Sequence, residues 1–209
     1  MVSFQDCLSL ARYNAKIVFG LNLLAAIALV FLTPFFFSLS LLTYKEMAKV
    51  GELYLCTTGI ALFTFLGSIE EGSNSQEIVY SKRMPHVYIF ALRFLFMALA
   101  SFIMIMTIAA YAAVLRSTFP FWTFIFGVWV SAVFLGTIGL TIVNFTREPA
   151  TGYLISFAYF VLEWMTRGKY TKDFFLLSLL NNSFHEKYRI LAAILVLFLA
   201  NLFFVYKKS

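Results

Sequence analysis

Charge is scarce in this sequence. Only 12% of its 209 residues are Asp, Glu, Lys or Arg, about half the share of an ordinary soluble domain. No hydrophilic stretch is long enough to bury a core of its own, which excludes a separate soluble domain. Cysteine is rarer still. Cys7 and Cys56 supply neither a zinc site nor a disulfide framework, and read as small buried or interfacial residues. Catalytic motifs are missing: there is no G-x-x-x-x-G-K-[ST] phosphate loop, no H-E-x-x-H and no G-x-S-x-G. The chain is therefore not expected to be an enzyme, and neither a metal site nor a cofactor of its own is expected.

What fills the sequence instead is apolar and aromatic. Hydrophobic residues make up 62%, aromatics 19%, and 26 residues are Phe. They lie in runs nearly free of charge, and a run of about 20 apolar residues crosses a bilayer as a helix. The expected fold is an all-α membrane protein of six transmembrane helices in one domain, 1–209. The spans fall at about 17–44, 52–69, 87–115, 121–143, 150–165 and 190–206. Ahead of them, Phe4, Leu8, Ala11 and Ala15 repeat at helical spacing with Arg12 and Lys16 off the stripe, which predicts an amphipathic surface helix over 1–16. The apolar run that follows is too long for a signal h-region and is read as a retained span. Pro34 sits late in that first span, where a kink is expected.

The connections carry most of the polar residues. A polar loop is expected over 45–51. The most polar stretch runs from Glu70 to Pro85: Gly72, Ser73, Asn74 and Ser75 signal a turn, and Ser75 is placed to cap a short helix over 76–83 lying across the membrane face. Residues 167–189 are mixed, and their apolar part, 174–180, is too short to cross; it dips into the membrane and returns, or lies on its surface. The net charge of +6 comes from basic residues in these short connections, which points to anionic lipid headgroups rather than nucleic acid. His86 and His185 are expected in loops on opposite faces, so no Ser–His pair forms inside the spans.

Inside the spans, Arg93 is the charge that costs most; an intramembrane cation is either a snorkelling anchor or paired, here with Glu70 or Glu71. Glu163 is expected to snorkel to the interface. No other buried charge suggests a proton or ion pathway, which argues against a proton-coupled pump. Gly127, Ser131, Gly136 and Gly139 on the fourth span read as a helix-packing notch. The Asn-x-Ser/Thr sequons at Asn144 and Asn181 are read as chance.

Taken in order, these features resemble the permease subunit of type-2 ATP-binding-cassette (ABC) exporters. The matching residues are Glu71-Gly72, Glu77-Ile78-Val79, Lys82 and Pro85, then Arg93, and Thr151-Gly152-Tyr153 at the start of the fifth span. A Ser at position 73, where many relatives have Thr, is a departure. The likeness covers essentially the whole chain, and its weight lies in the layout, since each motif is short. It implies that Glu70, Glu71, Gly72, Glu77, Lys82, Arg83 and Pro85 belong to a cytoplasmic coupling helix between spans 2 and 3 that docks a separate cytosolic ATPase, which would bind the ATP and Mg. It implies a second permease subunit, expected to be an identical copy, and an outer re-entrant gate made of Phe174, Phe175, Leu176, Leu177, Leu179 and Leu180. It implies a multi-pass protein of the cell membrane with both termini cytoplasmic, an orientation that the near-even split of basic residues leaves open. The implied cargo is hydrophobic or amphipathic, with a peptide or bacteriocin first. Two other readings compete: the substrate-binding membrane subunit of an energy-coupling-factor importer, and a non-transporting immunity protein.

Overall fold

The computed structural model describes residues 20–69 and 86–208, which are helical almost throughout, with no strand among them. The expected surface helix over 1–16 and the segment 70–85, with every residue assigned to coupling, lie outside the described residues. Six long helices follow one another: α1 (Leu21–Phe36); α2, built from Tyr44–Lys49, a π-helical stretch Val50–Leu55 and Thr57–Ile69; α3 (His86–Val114); α4 (Phe121–Thr146); α5 (Pro149–Thr166); and α6 (His185–Lys208). Two short 3-10 turns, Lys172–Phe174 and Ser178–Asn181, stand between α5 and α6.

Four helices are long and apolar enough to cross a membrane: Tyr44–Gly67, Val87–Val114, Phe121–Thr146 and His185–Lys207. The apolar part of α1, Asn22–Phe36, is shorter. The first two expected spans are corrected. The helix does not run on to Tyr44; it stops at Phe36, shortly after Pro34, with Phe37 extended and a bend at Leu41 before the next helix. The expected polar loop over 45–51 is helix. Thr43 and Glu46 form a capping box, with the Thr43 backbone N–H donating to Glu46 Oε2 at 2.8 Å. The Thr-x-x-Glu pattern satisfies helix donors that would otherwise be orphaned, so α2 begins well before Glu52. Both histidines likewise open helices, α3 and α6, rather than sitting in loops.

α4 is the centre of the bundle, packing against α2, α3, α5 and α6. In α2 and in α4, 72% of the most apolar stretch is buried, against 22% in α6. The outer helices therefore turn most of their Leu and Phe side chains away from the protein, as a lipid-facing helix does. The α2–α4 contact is a seam of small residues. A Cβ on Gly59 would strike the Ala132 backbone, and one on Gly136 would lie 2.5 Å from the Gly59 carbonyl oxygen. Further along, Gly51 faces Phe124 and Val128 while Gly67 faces Val143, so α2 and α4 run in the same direction. The π turn makes this possible. The Cys56 N–H reaches back five residues to Gly51 O, at 2.9 Å, and the wider turn absorbs a residue and keeps Gly51 and Gly59 on one face.

The connections gather at one end. Leu41 N–H donates to Leu115 O, Thr118 N–H to Leu42 O, and Ser117 Oγ to Leu39 O at 2.8 Å. These bonds tie the α1–α2 link to the α3–α4 turn. The first turns of α2 also pack against Ser178–Asn181. At the other end α4 and α5 are joined by Arg147, in the left-handed conformation, and Glu148, with Pro149 opening α5.

Candidate functional site

The site lies where the α5–α6 connection enters the bundle. Residues 171–182 do not form a spanning helix. Phe175, Leu176, Leu177 and Leu179 are buried, Leu180 partly so, and Phe174 is 44% exposed. Of the residues assigned to a re-entrant gate, five therefore pack inward and Phe174 does not. Buried non-helical backbone needs partners for its N–H and C=O groups. Here charged side chains provide them.

Glu52, in the π turn of α2, is fully buried. Its Oε1 accepts from Leu179 N–H at 3.1 Å and its Oε2 from Leu180 N–H at 3.2 Å. The same Oε1 lies 2.6 Å from Lys187 Nζ, on the first turns of α6, and that lysine is 1% exposed. Lys187 also donates to Ser131 Oγ on α4 at 2.6 Å and to Leu176 O at 2.5 Å. The three donors of its ammonium are thereby used. Glu163, near the end of α5, is buried too and accepts from Leu176 N–H at 3.3 Å.

Three charged side chains from three helices thus grip one short stretch of chain, residues 171–183, which we call the wedge. Local chemistry fits α2 for this task. The π turn loosens its backbone bonding, and side chains take up the carbonyls: Cys56 Sγ donates to Glu52 O, Thr57 to Tyr54 O and Thr58 to Leu55 O. At the α5 end, Gly168 has φ +75, which L side chains rarely adopt, and the Phe175 ring sits where its Cβ would be.

Two sequence expectations are corrected here. Glu163 does not snorkel; it is enclosed and bound to the wedge. Glu52 and Lys187, which the sequence put at polar boundaries, are enclosed as well. Arg93 itself is two turns into α3 and 4% exposed, packed against protein rather than reaching freely outward; Glu70 and Glu71 are outside the described residues. Thr151-Gly152-Tyr153 does open α5, and Gly152 lies against Val143 and the Gly139 carbonyl, a helix-packing role. Asn144 is buried and donates to Asn201 Oδ1 at 2.7 Å, while Asn201 donates to Thr141 Oγ1 and Leu197 O. The Asn144 sequon is therefore part of the α4–α6 contact.

Chemically, the cluster holds chain in place. Among the described residues there is no group of three His, Cys, Asp or Glu side chains arranged for a metal. The signal for the cluster was present in the sequence as Glu52 in an apolar run, an intramembrane carboxylate that calls for a partner. Comparisons with protein-family models, with curated proteins and with solved structures return no match.

Proposed function

We propose that this chain is the transmembrane permease subunit of an ABC exporter of the type-2 class. In this reading α1 and α5 also cross the membrane, giving six spans with both termini cytoplasmic. The end where the wedge and the other connections gather is the outer one. Two copies pair, and each docks a cytosolic ATPase through the 70–85 segment; ATP and Mg belong to that partner. The cargo is a hydrophobic or amphipathic peptide of the bacteriocin kind.

The observation that carries the reading is the wedge: buried, non-spanning chain between the fifth and sixth helices, gripped by side chains of α2, α5 and α6. The likeness of layout set out from the sequence supports it. A transporter needs an element with two discrete arrangements, biased by the energy source, and the wedge, a short segment with its own turns whose backbone is tied to the helices at a few polar points, is the element proposed for that role.

The test is affinity purification of the tagged chain from its native membrane. The reading expects an ATPase subunit to come with it, and expects Glu71→Gln and Glu77→Gln to weaken ATP-dependent peptide efflux while leaving the protein in the membrane. Efflux unaffected by both changes, or 70–85 labelled from the outside of intact cells, contradicts it. Protection against a peptide without any ATPase would favour the immunity-protein alternative.

A further inference from the structure

We propose that Glu52 and Lys187 form a releasable latch: with the pair intact the wedge lies buried against α2 and α4, and with the pair broken the wedge swings out as one unit while α2 and α4 stay packed. This deepens the permease reading and rests on it for the purpose of the movement, but the movement itself involves no ATPase.

Four observations support a moving unit. First, the wedge keeps its own turns. Phe174 N–H bonds Thr171 O, Leu180 N–H bonds Leu177 O, Asn182 N–H bonds Leu179 O and Ser183 N–H bonds Ser178 O. None of these depends on the rest of the bundle. Second, its polar ties to the bundle are few and concentrated. Glu52 takes two of its N–H groups and the Lys187 ammonium, Lys187 and Ser131 share the Leu176 carbonyl, and Glu163 takes the Leu176 N–H. Loss of the Glu52–Lys187 contact leaves two buried charges unpaired, and departure of the wedge takes the Glu52 acceptor from the Leu179 N–H while Leu180 N–H keeps Leu177 O, so intermediate positions are disfavoured.

Third, residues at positive φ stand towards both ends, Arg167 and Gly168 before the wedge, Lys172 near its start and Asn182 near its end. Rotation at a few such positions carries a segment without deforming it. Fourth, Lys187 has room to leave. It lines an open groove of about 350 Å³ beside α4 and α6, together with Trp122, Phe126, Phe184 and Tyr188. The closest approaches of the α2–α4 seam, Gly59 to Ala132 and Gly136 to the Gly59 carbonyl, involve none of these side chains.

The experiment uses the full chain in proteoliposomes with Cys7→Ser and Cys56→Ser. A reporter cysteine is placed on the wedge, Leu177→Cys, or on α4 in the seam, Val128→Cys; both sites are buried. A membrane-impermeant maleimide reads exposure. Adding Glu52→Gln should speed labelling of Leu177→Cys about tenfold or more and leave Val128→Cys unchanged. An unchanged rate at Leu177→Cys overturns the proposal, and so does a parallel rise at both sites, which would mean general loosening.

Should the Glu52→Gln protein not fold, hydrogen exchange on the unsubstituted chain decides. The Leu176, Leu179 and Leu180 amides should exchange together, about tenfold or more faster than those in the centre of α4. Protection equal to that of α4 overturns the latch. If the wedge responds but no ATPase co-purifies, the permease reading fails and the latch stands. If the ATPase co-purifies and the wedge does not respond, the reverse holds.

Discussion

The two ends of the contact between α2 and α4 are held by different means. Along the seam, Gly59 and Gly136 let one backbone touch the other, and the attraction is dispersion summed over many atoms. At the wedge end, Phe175, Leu176, Leu177 and Leu179 are buried as well, but a few charged side chains bind the backbone groups, and the polar attraction is concentrated in a handful of bonds. The seam has no single contact whose loss would open it. The wedge has one pair whose loss removes several contacts at once. A membrane bundle built in both ways has a part suited to staying put and a part suited to moving.

The comparison breaks most visibly at Lys187. Lys187→Met leaves Glu52 buried with no counter-charge and should cost about 3–5 kcal/mol, read as a lowered midpoint in denaturant unfolding of the purified protein in bicelles. Next comes the seam. Gly59→Ala forces a methyl into the Ala132 backbone and should cost about 2–3 kcal/mol by overpacking. Unlike the lysine variant, it should loosen α2 and α4 together, seen as faster hydrogen exchange in both helices.

A smaller effect is expected at the Asn144–Asn201 bridge. Asn201→Leu should cost about 1 kcal/mol, since interhelical hydrogen bonds in membranes are individually modest, with the loss confined to the α4–α6 contact. Smallest is the α2 cap: Thr43→Ala removes the side-chain half of the capping box and should cost about 0.5–1 kcal/mol, visible as fraying of Tyr44–Lys49 in hydrogen exchange.

Helix order was legible from the apolar runs, because lipid leaves a spanning chain few alternatives to a helix. The ends of α3, α4 and α5 came within a few residues of their expected places. The start of α2 did not, because Lys45, Glu46 and Lys49 outweighed the Thr43-x-x-Glu46 cap in a reading by polarity. The seam was half legible. Gly136 and Gly139 stood out on one helix, but Gly51 and Gly59 share a face only because of the π turn, which no periodicity announces. Glu52 and Lys187 were each placed at a polar boundary; what joins them is the return of the wedge into the bundle, a long-range contact that single-sequence pattern does not carry.

The most direct test of the account is a double-mutant cycle on Glu52→Gln and Lys187→Met, measured as unfolding free energy in bicelles. The account predicts that the double variant is less destabilised than the sum of the two single ones by about 2 kcal/mol or more, the coupling expected of a buried pair in direct contact. Additivity to within about 0.5 kcal/mol would contradict it, because the two charges would then not be holding the wedge together.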